Sequence, residues 1–165
     1  MALRKAKPLT HLKAVLVVLK EDDAIDLEHE DCDYEEYQKT GDLNKLVFVE
    51  GKEPTRFVCN FNFNAKQAAS VKNSMIAGKD DEGKPTISLG SWQYKIARMA
   101  LKDIQNPSYL SDEECFKYKE LHGYVDDKLL VELDSVGVVD QIFSMYSALV
   151  LDNAVRKEAK NSSEQ

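Results

Sequence analysis

The sequence predicts an α+β domain: an N-terminal antiparallel β-hairpin or small sheet followed by a helical C-terminal half. Three observations point there. Residues 55–63 alternate, with Phe57, Cys59, Phe61 and Phe63 on one face and Arg56, Val58, Asn60 and Asn62 on the other, which is the period of a half-buried strand. From Asn64 onward the apolar residues recur at helical spacing. Strands first and helices later argue against a doubly wound fold.

The chain has 165 residues, 43% hydrophobic and 31% charged, a size and composition that suit one soluble domain with its own core. Residues 1–44 read as a basic N-terminal arm, a short strand and an acidic loop. Residues 45–160 read as a single α+β domain and residues 161–165 as a flexible tail. No internal repeat is visible.

Taken in order, Ala14–Leu19 is aliphatic and β-branched, as a buried strand requires. Lys45–Glu50 is a second apolar strand, and Gly51-Lys52-Glu53-Pro54 is a turn signal. A hairpin of 45–50 with 55–63 follows, the first strand completing a three-stranded antiparallel sheet. Asn64 and Gln67 form a capping box for a helix carrying Ala65, Ala68, Ala69, Met75 and Ile76, with Gly78 at its end. Gly78–Thr86 is a polar loop. Ser91 caps a helix whose apolar face is Trp92, Ile96, Met99, Ala100 and Ile104, stopped by Asn106-Pro107. Ser111-Asp112-Glu113-Glu114 caps another helix reaching Leu121. Two more are expected, from Val125 to Leu133 and from Val138 to Ala159.

Charge is segregated. Residues 1–20 hold Arg4, Lys5, Lys7, Lys13 and Lys20 and no acid, whereas residues 21–44 hold eleven acids against Lys39 alone. Blocks of this kind are solvated and often act as interaction segments. The net charge of −7 disfavours direct nucleic-acid binding, which needs a basic face. The three cysteines, Cys32, Cys59 and Cys115, are widely spaced, so a disulfide framework is not expected and a reducing compartment is. The apolar run at 14–19 is six residues, too short for a signal-peptide core or for a span of about 20 residues.

Catalytic and ligand motifs give no consistent constellation. Gly78-Lys79-Asp80-Asp81-Glu82-Gly83-Lys84-Pro85 imitates a phosphate loop. Pro85 replaces the magnesium-binding hydroxyl, the three acids repel phosphate, and the preceding element reads as a helix where a strand is needed. His29 and Cys32 are two possible ligands where zinc needs three or four, with His11 and His122 in unrelated contexts. Asp31-Cys32-Asp33-Tyr34-Glu35 alternates like a calcium loop, but Glu36 stands where the glycine is needed. Cys59 reads as a small core residue. Glu113-Glu114 and Asp126-Asp127 are adjacent pairs and diverge on a helix. Trp92, Tyr94 and Tyr109 read as core or interface anchors. No catalytic residue, cofactor or metal is therefore expected.

The layout of Glu50-Gly51-Lys52-Glu53-Pro54-Thr55-Arg56-Phe57, a helix opening at Asn64 and a helical remainder with Leu129-Leu130-Val131-Glu132-Leu133 resembles small accessory proteins of tailed bacteriophages, the tail-assembly-chaperone type in particular. The likeness covers residues 45–150; the basic arm and acidic loop depart from that compact pattern and suit a virion structural protein equally well. The resemblance implies a non-enzymatic virion structural or assembly role in the virion or host cytoplasm. The implied partners are other copies of the chain or other virion proteins, without a membrane. The expected interface residues are Arg4, Lys5 and Lys7 against Asp22, Asp23 and Glu28 of another copy, with Tyr34, Tyr37 and Tyr109 as aromatic anchors. The alternatives are a small acidic module inhibiting a host protein by imitating nucleic-acid charge, and a small enzyme without a recognisable motif. The acidic segment is expected to be poorly ordered until it meets a partner.

Overall fold

The computed structural model describes residues 13–74, 76–79, 81–87, 89–107 and 127–152. It is an α+β fold. Its main sheet has three antiparallel strands in the order β1 (Val15–Val17), β2 (Arg56–Cys59) and β5 (Leu101–Gln105). Val17 pairs with Phe57 and Phe57 with Ile104, so the most apolar stretch of the strand is central. Phe57 and Cys59 are fully buried and Phe61 nearly so, as the alternation predicts.

The expected hairpin of 45–50 with 55–63 does not form. Both edges of β2 are occupied, by β1 and β5, which leaves the 45–50 segment no place on it. Leu43–Lys45 is a 3₁₀ turn capped by Asp42, and Phe48 instead bridges to Ile25 inside the acidic segment. The amides of Asp26 and Val49 donate to the carbonyls of Val47 and Ala24, each at 2.8 Å.

The third strand comes from a region with helical spacing. Helix α3 (Leu89–Ala100) buries Ile96, Ala97 and Ala100, then stops where the carbonyl of Ala100 accepts the amide of Asn60 at 2.8 Å. Leu101 and Ile104 enter the core as strand residues, with a bulge between them. Pairing with a vacant edge of β2 thus overrides a local helical period, a tertiary effect that propensity does not contain.

Helix α2 (Ala65–Ser74) opens on the expected capping box. The Asn64 carboxamide oxygen accepts the Gln67 amide at 2.8 Å, and the Gln67 side chain accepts the Asn64 amide at 3.0 Å. Its buried residue is Val71, whereas Ala65, Ala68 and Ala69 face solvent. The helix ends at Ser74, before the expected Gly78. The expected polar loop contains a small antiparallel sheet of β3 (Ile76–Lys79) and β4 (Pro85–Ile87), closed through Gly83 at φ +79°. A strand therefore does precede the imitation phosphate loop, but a second strand follows it and not the helix N-terminus that would cradle phosphate.

Helices α4 (Asp127–Ser135) and α5 (Val138–Tyr146) complete the description, with a π turn over Ser147–Leu151 continuing α5. Leu129, Leu130 and Leu133 of α4 and Val138, Val139, Ile142 and Met145 of α5 are buried. The helix expected at 111–121 and the tail at 161–165 lie outside the described residues, as does the end of the last helix. One contiguous core joins Val15, Ile25, Tyr34, Tyr37 and Leu46 to Phe57, Ile96, Leu130 and Ile142. Described residues on both sides of position 45 therefore share one core. Among the described residues no helix is long and apolar enough to cross a membrane.

Candidate interaction surfaces

The acidic segment, expected to be poorly ordered until it meets a partner, packs onto the core as an exposed acidic ridge. Its order starts with Asp22, which is buried: one carboxylate oxygen accepts the amide of Ala24 and the other that of Thr55, both at 2.9 Å. Thr55 in turn donates its hydroxyl to the carbonyl of Asn106 at 2.5 Å. Helix α1 (Tyr34–Thr40) begins with Asp33 capping the amide of Glu36 at 3.0 Å. It ends at Gly41, whose φ of +68° lies in the left-handed region and whose amide donates to the carbonyl of Tyr37 at 2.7 Å.

Tyr34 and Tyr37 are not the exposed anchors expected of them. They are 7% and 0% exposed. The Tyr37 hydroxyl accepts the amide of Val18 at 2.9 Å and donates to the carbonyl of Leu16 through a short contact; the Tyr34 hydroxyl donates to the carbonyl of Val18 at 2.7 Å. The two phenols thereby take the place of a neighbouring strand along β1. An open sheet edge is a template for aggregation. Here it is closed from within the acidic segment. At the opposite edge, β5 carries a bulge, exposes Lys102 and Asp103, and has the Ile104 amide taken by the Asp103 carboxylate at 2.8 Å. Bulges and charges of this kind discourage further pairing.

With Asp22 turned inward, nine of the ten acids between Glu21 and Glu36 remain toward solvent: Glu21, Asp23, Glu28, Glu30, Asp31, Asp33 and Glu35 are exposed and Asp26 and Glu36 half-buried. No Lys or Arg lies in that stretch. Asp23 makes an exposed ion pair with Lys52 at 3.3 Å, a contact worth at most about 1 kcal/mol. Of the expected interface set, Asp23 and Glu28 are exposed on this ridge and Asp22 is buried. Arg4, Lys5, Lys7 and Tyr109 lie outside the described residues. His29 sits beside Asp31 at 3.9 Å, and Cys32 is half-buried. Among the described residues no group of three or more His, Cys, Asp or Glu is placed to hold a metal ion. Burial pushes the Cys59 thiol and the Tyr37 phenol well above their ordinary values, so neither ionises near neutrality.

The other surface of note lies between α3 and α4, an open cleft of about 670 Å³. Tyr94, Lys95 and Arg98 line it from α3 and Asp127, Leu130 and Val131 from α4. Arg98 is ion-paired with Asp127, and the Tyr94 hydroxyl donates to Asp134. That hydrogen bond, and then desolvation, push the Tyr94 phenol upward. Val131 is 61% exposed. Reading by residue type missed this cleft because its cations are ordinary surface residues. The signal was Val131 itself, an apolar residue on the solvent side of a helix whose buried face is Leu129, Leu130 and Leu133. Comparisons with protein-family models, with curated proteins and with solved structures find no match.

Proposed function

We propose that this protein is a non-enzymatic assembly or structural component of the tailed-phage type, working in the virion or host cytoplasm through protein–protein contacts with other copies of itself or other virion proteins. The observation that carries the reading is the ridge. Asp22, Tyr34 and Tyr37 fix a run of acids as a folded surface, with seven carboxylates exposed. Holding like charges together has a Coulomb cost, and a prepared surface loses less conformational freedom on binding than a floppy one. The basic residues Arg4, Lys5 and Lys7 supply opposite charge in the same chain, and Glu28 and Asp23, the latter in exchange for its exposed pair with Lys52, are their targets.

Light scattering on the full chain tests this. Association is expected at low salt and should fall toward about 1 M, where the Debye length is about 3 Å. Deleting residues 1–12 should weaken it while leaving the melting transition in place. A chain that stays monomeric at every salt and concentration overturns copy-to-copy assembly. The run of seven exposed carboxylates also supports a second reading, a mimic of nucleic-acid charge that occupies a host protein. Capture of a DNA-binding protein on the immobilised chain, displaced by duplex DNA, would support it over the first.

A further inference from the structure

We infer, resting on the contact between basic segment and ridge proposed above, that residues 1–12 close first on the ridge of their own chain, so that copies assemble by exchanging these segments. The root of the segment lies beside the ridge. The described chain begins at Lys13, two residues before β1. Helix α1 lies along the outer edge of β1 and runs antiparallel to it. The Tyr34 hydroxyl donates to the carbonyl of Val18, the Tyr37 hydroxyl bonds Leu16 and Val18, and a Cβ on Gly41 would stand 3.5 Å from the Val15 side chain. The C-terminal end of α1 is thus next to the root. The helix has seven residues and is about 10 Å long, with the exposed Asp33 and Glu35 at its far end. An extended chain spans at most about 3.3–3.6 Å per residue. Lys7 therefore reaches up to about 20 Å from Lys13 and Arg4 about 30 Å, enough to run the length of α1 and pass its first turn.

Charge selects the ridge. Residues 1–12 hold Arg4, Lys5 and Lys7 and no acid, and Glu21–Glu36 holds ten acids and no Lys or Arg. Other described surfaces offer less: α2 carries Lys66 and Lys72 without an acid, and the α3–α4 cleft sets Arg98 against Asp127. The contact between opposite charges is the same within one chain or between two, so the tether decides between them. A short tether holds its end at an effective concentration on the order of 1 mM. Below that concentration each ridge is covered by its own segment and the chain is a closed monomer. Above it, as where copies gather on a growing particle, the segments exchange, a swap that keeps the contact and costs little.

A labelled synthetic peptide of residues 1–12, titrated into dilute full-length chain at low salt and followed by fluorescence anisotropy, tests the closure. Two chains are compared: the unaltered one, and one with Arg4→Ala, Lys5→Ala and Lys7→Ala together, which cannot close; an unchanged melting transition checks its fold. The peptide should bind the altered chain about tenfold more tightly, and the preference should vanish toward about 1 M salt, where charges are screened. Adding Glu28→Lys and Glu35→Lys to the altered chain should remove most of that binding; both positions are exposed. Equal affinity for the unaltered and altered chains overturns the closure, because the ridge is then vacant in the dilute chain, and leaves the assembly reading standing. Binding that survives the two ridge substitutions overturns the ridge as the docking surface. A peptide that binds neither chain overturns the contact itself, and with it both readings.

Discussion

Replacing Tyr37 with Phe removes one oxygen and two hydrogen bonds. The ring stays, so packing against Tyr34, at 5.4 Å between centroids, is kept. What changes is the edge of β1. The amide of fully buried Val18 loses its acceptor and the carbonyl of Leu16 its donor. A buried polar group left without a partner costs about 1–3 kcal/mol; with Leu16 half-buried, the sum is about 2–4 kcal/mol. For a domain of this size each kcal/mol moves Tm by about 2–4 °C, so calorimetry should show a fall of about 4–16 °C. Tyr34→Phe, which loses the 2.7 Å bond to the carbonyl of Val18, should also lower Tm. The variants should also aggregate more readily on partial unfolding, because the edge is then open. A Tyr37→Phe protein within about 0.5 kcal/mol of the parent, the range of an ordinary surface substitution, would refute the claim that the hydroxyl closes the edge.

Phe61→Ala should cost about 3–5 kcal/mol in urea unfolding, since Phe61 is buried and packs edge-on against Tyr146 at 5.7 Å. Gly41→Ala should cost about 1–2 kcal/mol through its left-handed backbone; a Cβ there meets nothing closer than 3.5 Å, so a greater loss would point to crowding instead. Stability should also fall in alkali. The folded state holds the Cys59 thiol and Tyr37 phenol above their ordinary values of 9.0 and 10.0, so unfolding releases protons there. The contribution is therefore full below about pH 9 and lost as pH rises past it. Urea midpoints measured across that range should show the fall, and Cys59→Ala should delay its onset toward pH 10.

The sequence carried the β2 core, the Asn64 capping box and the start of the last helix, because each rests on local spacing: period two, a three-residue polar pair, a glycine break. What it did not carry is non-local. The strand at 101–105 looks helical from Trp92 to Ile104 and becomes a strand because β2 has a free edge. Local spacing pairs 55–63 with its nearest neighbour in sequence, whereas the partners of β2 lie about forty residues away on each side. Tyr34 and Tyr37 read as exposed anchors for a related reason. Embedded among acids, they match the composition of a solvated loop, and nothing local reveals that their hydroxyls reach Leu16 and Val18.

The burial of these two tyrosines bears on function. Nine carboxylates within sixteen residues repel one another, and left to themselves they favour an extended, hydrated chain. The opposing terms are the burial of Ile25, Tyr34, Tyr37 and Leu46 and the two hydrogen bonds that Asp22 accepts. The groups that close the sheet therefore also hold the ridge, and stability and recognition are coupled through the same two phenols. Loss of the Tyr37 hydroxyl should weaken association as well as lower Tm, and the association defect should persist at temperatures where the domain is still folded. Phe61→Ala makes the control, because it destabilises the core just past β2, where Phe61 packs on Tyr146 of the last helix. If both variants lose association only in proportion to their unfolded fraction, the ridge does not depend on the tyrosines, and its order comes from Asp22 and the bridge of Ile25 to Phe48 alone.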